Sequence, residues 1–417
     1  MFRRPHLAVL AAAALAASSF LAVPAQADEP ESTAQSTVKD FPAGSTRLSG
    51  KTRYETAIAV SKRYEPGVPA VFVATGTDFP DALSAAAAAA ELDSPLLLTP
   101  TESLPNSIRD EIKRLAPQRI YVVGGEKAVS ANVFNALKAI GTTTRIGGAD
   151  RYATSLNIVD AIFPETPHAI IATGRAFPDA LAATGAAGLA EAPVILVNGT
   201  ESKVSDDVIS ILDDLMIESI GIAGGNNAVS SAIQTNLRNE GFSVTRFGGA
   251  DRYATAAAIN KAYFDDDAST IFLATGQNFP DALSGAALAG ALEAPMFITR
   301  TDCVPPAIHD GITATAPKSK VILGGTSAVS AGAAQNTKCV PAPKPTPTPS
   351  SSPTPTSSPK PTSSPTTKPG NPGDTKNCSD FKTQKEAQAW FDEYFPHWGD
   401  VAKLDSDGDG IACETLR

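Results

Sequence analysis

TGTDFPDAL occupies residues 75–83, and near-copies return as TGRAFPDAL at 173–181 and TGQNFPDAL at 275–283. PAVFVAT (69–75) leads into the first copy, and DALSAAAAAAEL (81–92) continues it. A short apolar run followed at once by a long run of strong helix formers reads as a buried strand turning directly into a helix. Proline suits the first turn of that helix, where its missing N–H costs nothing. The aspartate behind it (Asp81, Asp179, Asp281) suits the positive helix end. The nine residues therefore mark a strand-to-helix corner, written three times.

The repetition extends outward from this corner. RLSGKTRYETA (47–57) returns as RIGGADRYATS (145–155) and RFGGADRYATA (246–256). VVGGEKAVS (122–130) returns as IAGGNNAVS (222–230) and ILGGTSAVS (322–330). A spacing near a hundred residues marks three copies of a domain, not the short units of a solenoid. In the first copy SPLLLT (94–99) and RIYVV (119–123) add two apolar runs, and SIRDEIKRLA (107–116) and SANVFNALKAI (130–140) read as helices. Strands buried on both faces and separated by helices predict an open parallel α/β sheet in each copy, with the strand order unresolved. Right-handed crossovers place the TG…FPDAL and GG…AVS loops, which both follow strands, on one edge.

The flanks differ in kind. Arg3 and Arg4, an Ala/Leu/Val run from Leu7 and the small-residue site Ala25-Gln26-Ala27 predict an export signal over 1–27, so the mature chain starts at Asp28. No later stretch offers the ~20 apolar residues that span a bilayer. From Pro341 to Gly373, 12 of 33 residues are proline and nothing apolar is left to bury, which predicts a disordered, extended spacer. At ~3.1 Å per residue it reaches on the order of 100 Å. The expected organisation is a signal (1–27), an N-terminal segment (28–46), repeats at 47–143, 144–243 and 244–340, a spacer at 341–376 and a small tail domain at 377–417. Trp390, Phe391, Tyr394, Phe395 and Trp398 are the candidate core of that tail, which is small enough to need a staple or a metal. The cysteines are Cys303, Cys339, Cys378 and Cys413; an even number in an exported chain suggests disulfides. Local pairing, Cys303–Cys339 and Cys378–Cys413, is the most economical of three connectivities.

Charge narrows the partners. The formal net charge is −10, and loss of Arg3 and Arg4 with the signal makes the mature chain more acidic still. That excludes a general binder of nucleic acid or anionic membrane, so an anionic ligand has to be gripped locally. Arg53, Arg151 and Arg252, each followed by tyrosine, are candidate contacts because arginine pairs bidentately with carboxylate and phosphate. The competing reading makes them internal partners of Asp81, Asp179 and Asp281, whose own role reads as helix start or ion pair. The GG pairs read as tight turns at strand ends.

In this order and in three copies, the GxxRYxTA, TGxxFPDAL, PLLLT-like (SPLLLT, APVILV, APMFIT) and GG…AVS segments resemble the cell wall binding repeat 2 family. The resemblance covers 47 to about 340. It implies three α/β domains packed as a three-lobed unit, export by a Gram-positive bacterium, and non-covalent attachment to an anionic secondary wall polymer or peptidoglycan. Carried onto this chain, it implicates Arg53, Arg151, Arg252 and the PLLLT-like strands in polymer binding. The first copy departs with Lys51-Thr52 where the others have Ala149-Asp150 and Ala250-Asp251, which leaves open whether all copies bind equally.

In the tail, LDSDGDGIACE places Asp405, Asp407 and Asp409 at alternate positions before Gly410, as in the first half of an EF-hand loop. Position 12 is Leu416, so an ordinary EF-hand is excluded, and a shortened loop ending at Glu414 fits better. NCSDFKTQKEAQAWF with DSDGDGIACE resembles the Excalibur calcium-binding domain. That likeness implies Ca2+ held by Asp405, Asp407, Asp409 and Glu414, with Cys378 bridged to Cys413 and metal binding tied to folding.

No HExxH, GxSxG or Walker motif occurs, and everything between signal and spacer is repeat. The expected function is a secreted, wall-associated, non-catalytic binder that presents a calcium-binding tail to a protein partner the sequence does not specify. A peptidoglycan hydrolase and a calcium-dependent adhesin are the alternatives.

Overall fold

The computed structural model describes residues 38–264 and 268–340 and, towards the C-terminus, residue 373, residues 375–398 and residues 402, 404, 412 and 413. The signal, residues 341–372 of the spacer, and Asp405, Asp407, Asp409 and Glu414 lie outside the described residues. The chain divides into two compact units, one up to Ala342 and one from Pro343.

The first unit opens with β1 (Gly44–Leu48) and α1 (Arg53–Ser61). Next come β2 (Ala70–Thr75), α2 (Pro80–Glu91), β3 (Leu96–Thr99), α3 (Asn106–Leu115), β4 (Arg119–Val123) and α4 (Ala131–Lys138). The second round is β5 (Thr143–Ile146), α5 (Arg151–Ile162), β6 (His168–Thr173), α6 (Pro178–Leu189), β7 (Val194–Val197), α7 (Asp206–Asp214), β8 (Ser219–Ala223) and α8 (Ser231–Asn239). The third is β9 (Ser243–Phe247), α9 (Arg252–Tyr263), β10 (Thr270–Thr275), α10 (Pro280–Ala291), β11 (Met296–Thr299), α11 (Pro306–Thr315), β12 (Ser319–Leu323) and the short α12 (Ala331–Ala334).

These strands form three four-stranded parallel sheets, ordered β3-β2-β4-β5, β7-β6-β8-β9 and β11-β10-β12-β1. The α/β repeats read from the sequence are present, with one shift of boundary. The last strand of each sheet belongs, by sequence, to the start of the following repeat. In the third sheet it is the chain's own beginning: Gly44–Leu48 lies in register with Ser319–Leu323. Joining its ends in one sheet ties the unit into a ring and removes two edges that would otherwise lie open. Strands β1, β5 and β9 have no continuous apolar run; Thr143–Ile146, for instance, buries only its last residue. Their motif was recognisable as a repeat, but their strand character comes from the neighbour they pair with.

Helices α2, α6 and α10 start at the FPDAL corners and pack against one another at the centre of the ring, nearly every residue buried. Their sequences are largely alanine, glycine, serine and threonine, so backbones can approach closely. A Cβ on Gly188 would lie 2.2 Å from the Gly290 carbonyl oxygen, and one on Gly290 would lie 2.6 Å from Ala90 Cβ. In the third repeat the closing helix α12 has four residues, against eight in α4 and nine in α8. There the Cys303–Cys339 disulfide and backbone bonds between Val304 and both Thr337 and Cys339 hold the chain instead.

The second unit contains a 3₁₀ turn (Cys378–Asp380) and α13 (Gln384–Trp398), joined to Cys413 by the Cys378–Cys413 disulfide. Both cysteine pairs are the local ones. Phe391, Ala387, Leu404 and Ala412 form the small core, with Trp390 packed beside it. Phe395 is 45% exposed, so it stacks on Phe391 without being interior, contrary to the expectation from composition. The Trp398 side chain lies outside the described residues.

Glycine to alanine inside a helix ordinarily stabilises by up to about 1 kcal/mol. At Gly188 the new methyl meets rigid backbone, and the sign reverses: Gly188→Ala is expected to destabilise the three-lobed unit by about 1–3 kcal/mol. Chemical denaturation of the two proteins measures the difference, and a stabilised variant would contradict the close approach.

Candidate functional site

All three FPDAL corners converge at one end of the central helices. Phe79, Phe177 and Phe279 are the N-cap residues of α2, α6 and α10, and none of these caps is satisfied by a side chain. Their rings meet pairwise at centroid distances of 6.0, 5.6 and 6.0 Å. Edge-to-face aromatic contact at this range favours the assembly of the corners. Three helix N-termini that lack a side-chain cap thus meet at one half-buried aromatic cluster.

Around it stand the candidate arginines, each at the first position of α1, α5 or α9. Arg53 donates to the Gly76 carbonyl, Arg151 to Gly174 (2.7 Å) and Arg252 to Gly276 (2.7 Å). The Arg53 guanidinium lies 5.9 Å from the ring centre of Phe279, and that of Arg151 lies 5.8 Å from Phe79, so each spans two lobes. These arginines are half-buried and take part in none of the salt bridges among the described residues. Arg47, Arg145 and Arg246 have a different job. Each clamps a GG loop through its carbonyls: Arg145 donates to Gly124 (2.8 Å) and Val129 (2.8 Å), Arg47 to Gly324 (2.7 Å) and Val329 (2.9 Å), and Arg246 to Gly224 (2.9 Å) and, one residue further on, Ser230 (3.2 Å).

The aspartates face inward. Gly124, Gly224 and Gly324 have φ of +96°, +119° and +91°, and a Cβ there would lie 2.3, 2.6 and 2.5 Å from Asp81, Asp179 and Asp281 Oδ2. The FPDAL and GG motifs therefore require one another: the carboxylate fills the space a side chain would need. Burial pushes the Asp179 carboxyl up to about 6, opposed by the Arg252 guanidinium. Burial raises Asp81 as well; the Thr154 hydroxyl and Arg151 counter it and Asp78 adds to it. Asp81 and Asp179 thus respond electrostatically to the following repeat's arginine without a direct ion pair.

Two expectations are refined by these contacts. The PLLLT-like strands β3, β7 and β11 are wholly buried, so their side chains offer nothing to a ligand directly. The Lys51-Thr52 departure is a capping matter: Thr52 accepts from the Glu55 amide as Asp150 does from Tyr152 and Ala153 and Asp251 does from Ala254. A difference that the sequence motifs did not announce lies in the exposed corner residues. The equivalent exposed positions are Thr77 and Asp78 in the first lobe, Arg175 and Ala176 in the second and Gln277 and Asn278 in the third, and Arg300 stands beside Tyr253. The lobes present unequal charge.

The region matching Cell wall binding domain 2 (CWB2) comprises residues 47–134, 145–234 and 246–334. The chain belongs to the CWB2 family. Residues 375–414 match the Excalibur calcium-binding domain. Among curated proteins the chain is similar to the N-acetylmuramoyl-L-alanine amidase LytC of Bacillus subtilis (29% identical, 70% of this chain and 58% of that protein). It is also similar to the amidase enhancer of the same organism (30% identical, 68% of this chain and 39% of that protein). It therefore spans well under two thirds of either relative. Among solved structures, Cwp6 from Clostridium difficile superposes with TM-score 0.63 at 27% identity, covering 72% of this chain and 50% of that one. Cwp8 from the same organism gives the same score and identity over 68% of this chain and 50% of its own. The matched regions are cell-wall-binding repeats and a calcium-binding module, and they indicate association with the wall. Among the described residues, no helix is long and apolar enough to cross a membrane.

For the tail, the described residues fit a closed metal loop. The Cys413 amide donates to the Leu404 carbonyl (2.8 Å), bringing together the two ends of 405–412. The Ala412 amide donates to Gln388 Oε1 (2.8 Å) and its carbonyl accepts from Gln384 Nε2 (3.1 Å), so α13 holds the loop's end. Between these anchors the chain writes DSDGDG, a hard oxygen donor set suited to Ca2+.

For Asp179, a raised carboxyl means stability present below its unfolded value of 3.8 and lost as pH rises through about 6. Asp179→Asn is expected to remove that slope, gaining on the native protein between roughly pH 4 and 7 by at most about 3 kcal/mol. Thermal melts across that range measure it; parallel curves for both proteins would show that Asp179 does not titrate with folding.

Proposed function

We propose that this protein is an exported, non-catalytic wall anchor. Its three repeats grip an anionic wall polymer at the end of the ring where the FPDAL corners meet, and its tail binds Ca2+ through Asp405, Asp407, Asp409 and Glu414. The observation that carries the polymer reading is the arrangement of Arg53, Arg151 and Arg252. Each makes one hydrogen bond to a loop carbonyl, which orients the guanidinium beside three uncapped helix N-termini. Oriented donors over a positive helix end are what a phosphate or carboxylate needs. The field is local, which is how a chain of formal charge −10 can hold an anion. Similarity to an amidase covers only part of that protein, and the regions matched on this chain are binding domains, which supports wall attachment.

Sedimentation with sacculi tests this. The protein is expected to co-sediment with native sacculi and to remain in solution with sacculi stripped of anionic polymer. Each of Arg53→Ala, Arg151→Ala and Arg252→Ala should weaken retention about tenfold, the worth of a charge-assisted hydrogen bond, and added salt should weaken it further. Equal retention on stripped sacculi would make peptidoglycan the target, and release of soluble fragments would reveal a hydrolase.

Calcium should stabilise the tail by mass action, about 2.7 kcal/mol at a hundredfold excess over Kd. Limited proteolysis of the full chain reads this as protection of residues 377–417, abolished by chelator and by Asp407→Ala. Protection that is indifferent to both would remove Ca2+ from the account.

A further inference from the structure

Outside the repeated motifs, the loops at the strand ends distribute positive charge unevenly among the lobes. Arg300 directly follows β11, at the place where the other lobes have Pro100 and Asn198. Its loop is fixed to the corner beside it: Gln277 Oε1 accepts from the Thr301 amide (3.2 Å) and from Thr301 Oγ1 (2.8 Å). Arg300 itself is exposed, and its guanidinium lies 6.0 Å from the ring centre of the buried Tyr253. That is the outer limit of a cation–π contact.

Tyr253 and Arg252 share one seat. A Cβ on Gly276 would lie 2.9 Å from Tyr253 Cε1 and 3.5 Å from Arg252 Cδ, and the Gly276 carbonyl accepts from Arg252 (2.7 Å). Burial raises the Tyr253 hydroxyl, Arg252 and Arg300 oppose that rise, and Asp251 adds to it. Two guanidiniums from different elements, α9 and the end of β11, therefore bear on one ring.

The nearby acids do not pair with them. Asp251 is occupied as the cap of α9, accepting from the Ala254 amide (2.7 Å). Among the described residues, neither arginine takes part in a salt bridge, nor does Asp302, two positions beyond Arg300. Around Tyr152 in the second lobe the charges are closer to balance: Arg151 and Arg175 are met there by Asp150 and Glu201. In the first lobe the counterpart of Arg300 is Pro100, that of Arg175 is Thr77, and the acidic Asp78 follows. Two like charges gathered about one ring are unfavourable until an anion lies between them.

We propose that the third lobe holds the tightest anion subsite of this face, in which Arg252 and Arg300 grip one oxyanion of the wall polymer. This rests on the wall-anchor reading and adds to it Arg300, a contact that lies outside every repeated motif. Tyr253 is the positioning residue, its ring setting the two guanidiniums on either side of the ligand's place. The group held is a phosphodiester or a carboxylate, since both offer the pair of oxygens that a guanidinium fork meets.

Sedimentation of the full chain with native sacculi tests this, with Arg300→Gln set against Arg119→Gln. Arg119 is exposed at the start of β4, at the end of the sheet away from the corners, so its loss changes the net charge equally. Retention should fall about tenfold for Arg300→Gln at an unchanged melting temperature, and should not change for Arg119→Gln. Arg300→Lys should recover only part of the loss, because an ammonium has no fork. Soluble oligomers distinguish the anions: displacement by a glycerol phosphate oligomer marks a phosphodiester, and displacement by an oligogalacturonate marks a carboxylate. Full retention of Arg300→Gln, an equal loss for Arg119→Gln, or displacement by neither oligomer would overturn the subsite and leave the wall anchor standing. Failure of the native protein to sediment with native sacculi would remove the anchor, and the subsite with it.

Discussion

The close approach of α2, α6 and α10 sets the geometry on which everything else in the larger unit depends. Alanine and glycine contribute little apolar area each, so these helices cannot be held by large interlocking side chains. They are held by backbone proximity, with Gly188 against Gly290 and Gly290 against Ala90, and by sheets packed outside them. Close packing of this kind tolerates few alternatives, because there is no long side chain that could move aside. It also decides where the FPDAL corners go. Helices that meet along their length bring their N-terminal residues to one place, and Phe79, Phe177 and Phe279 seal it.

That convergence creates an electrostatic problem and its use together. Three helix N-termini favour negative charge, and Asp81, Asp179 and Asp281 supply some of it from the first turn. Yet burial over the GG loops raises the carboxyls of Asp81 and Asp179, so their charge is costly. The arginines of the following repeats ease that cost through space while one N–H of each is tied to a loop carbonyl. A face that gathers helix ends and cations is a physical means for an acidic protein to hold an anionic chain. Its unequal corner residues, Asp78 against Arg175 and Arg300, give that face a direction.

Pseudo-symmetry makes the exceptions informative. The three lobes share corners, loops and sheet order, so a difference among them is not explained by the fold. The third lobe lacks a full closing helix and carries a disulfide; it also takes its last strand from the chain's beginning, which draws Val38–Pro42 across the base of the sheet. In the second lobe Tyr263 and Phe247 lie over Gly221 instead.

Much was written in the chain itself. Strand-to-helix corners and the alternating aspartates of the tail are set by residues within a few positions of one another, the three copies by plain repetition, and the cysteine pairs by separations of only 36 and 35 residues. The strand order, the transfer of β1, β5 and β9 to the preceding sheet, and the roles of the arginines were not legible, because they depend on pairing between segments far apart. Arg47 and Arg53 look alike as repeated arginines six residues apart. One is committed to loop carbonyls 277 and 282 residues away, and the other is set beside an aromatic cluster drawn from three lobes. Sequence alone determined what each module is; only the tertiary structure decided which of its charges face outward, because that follows from how three modules meet.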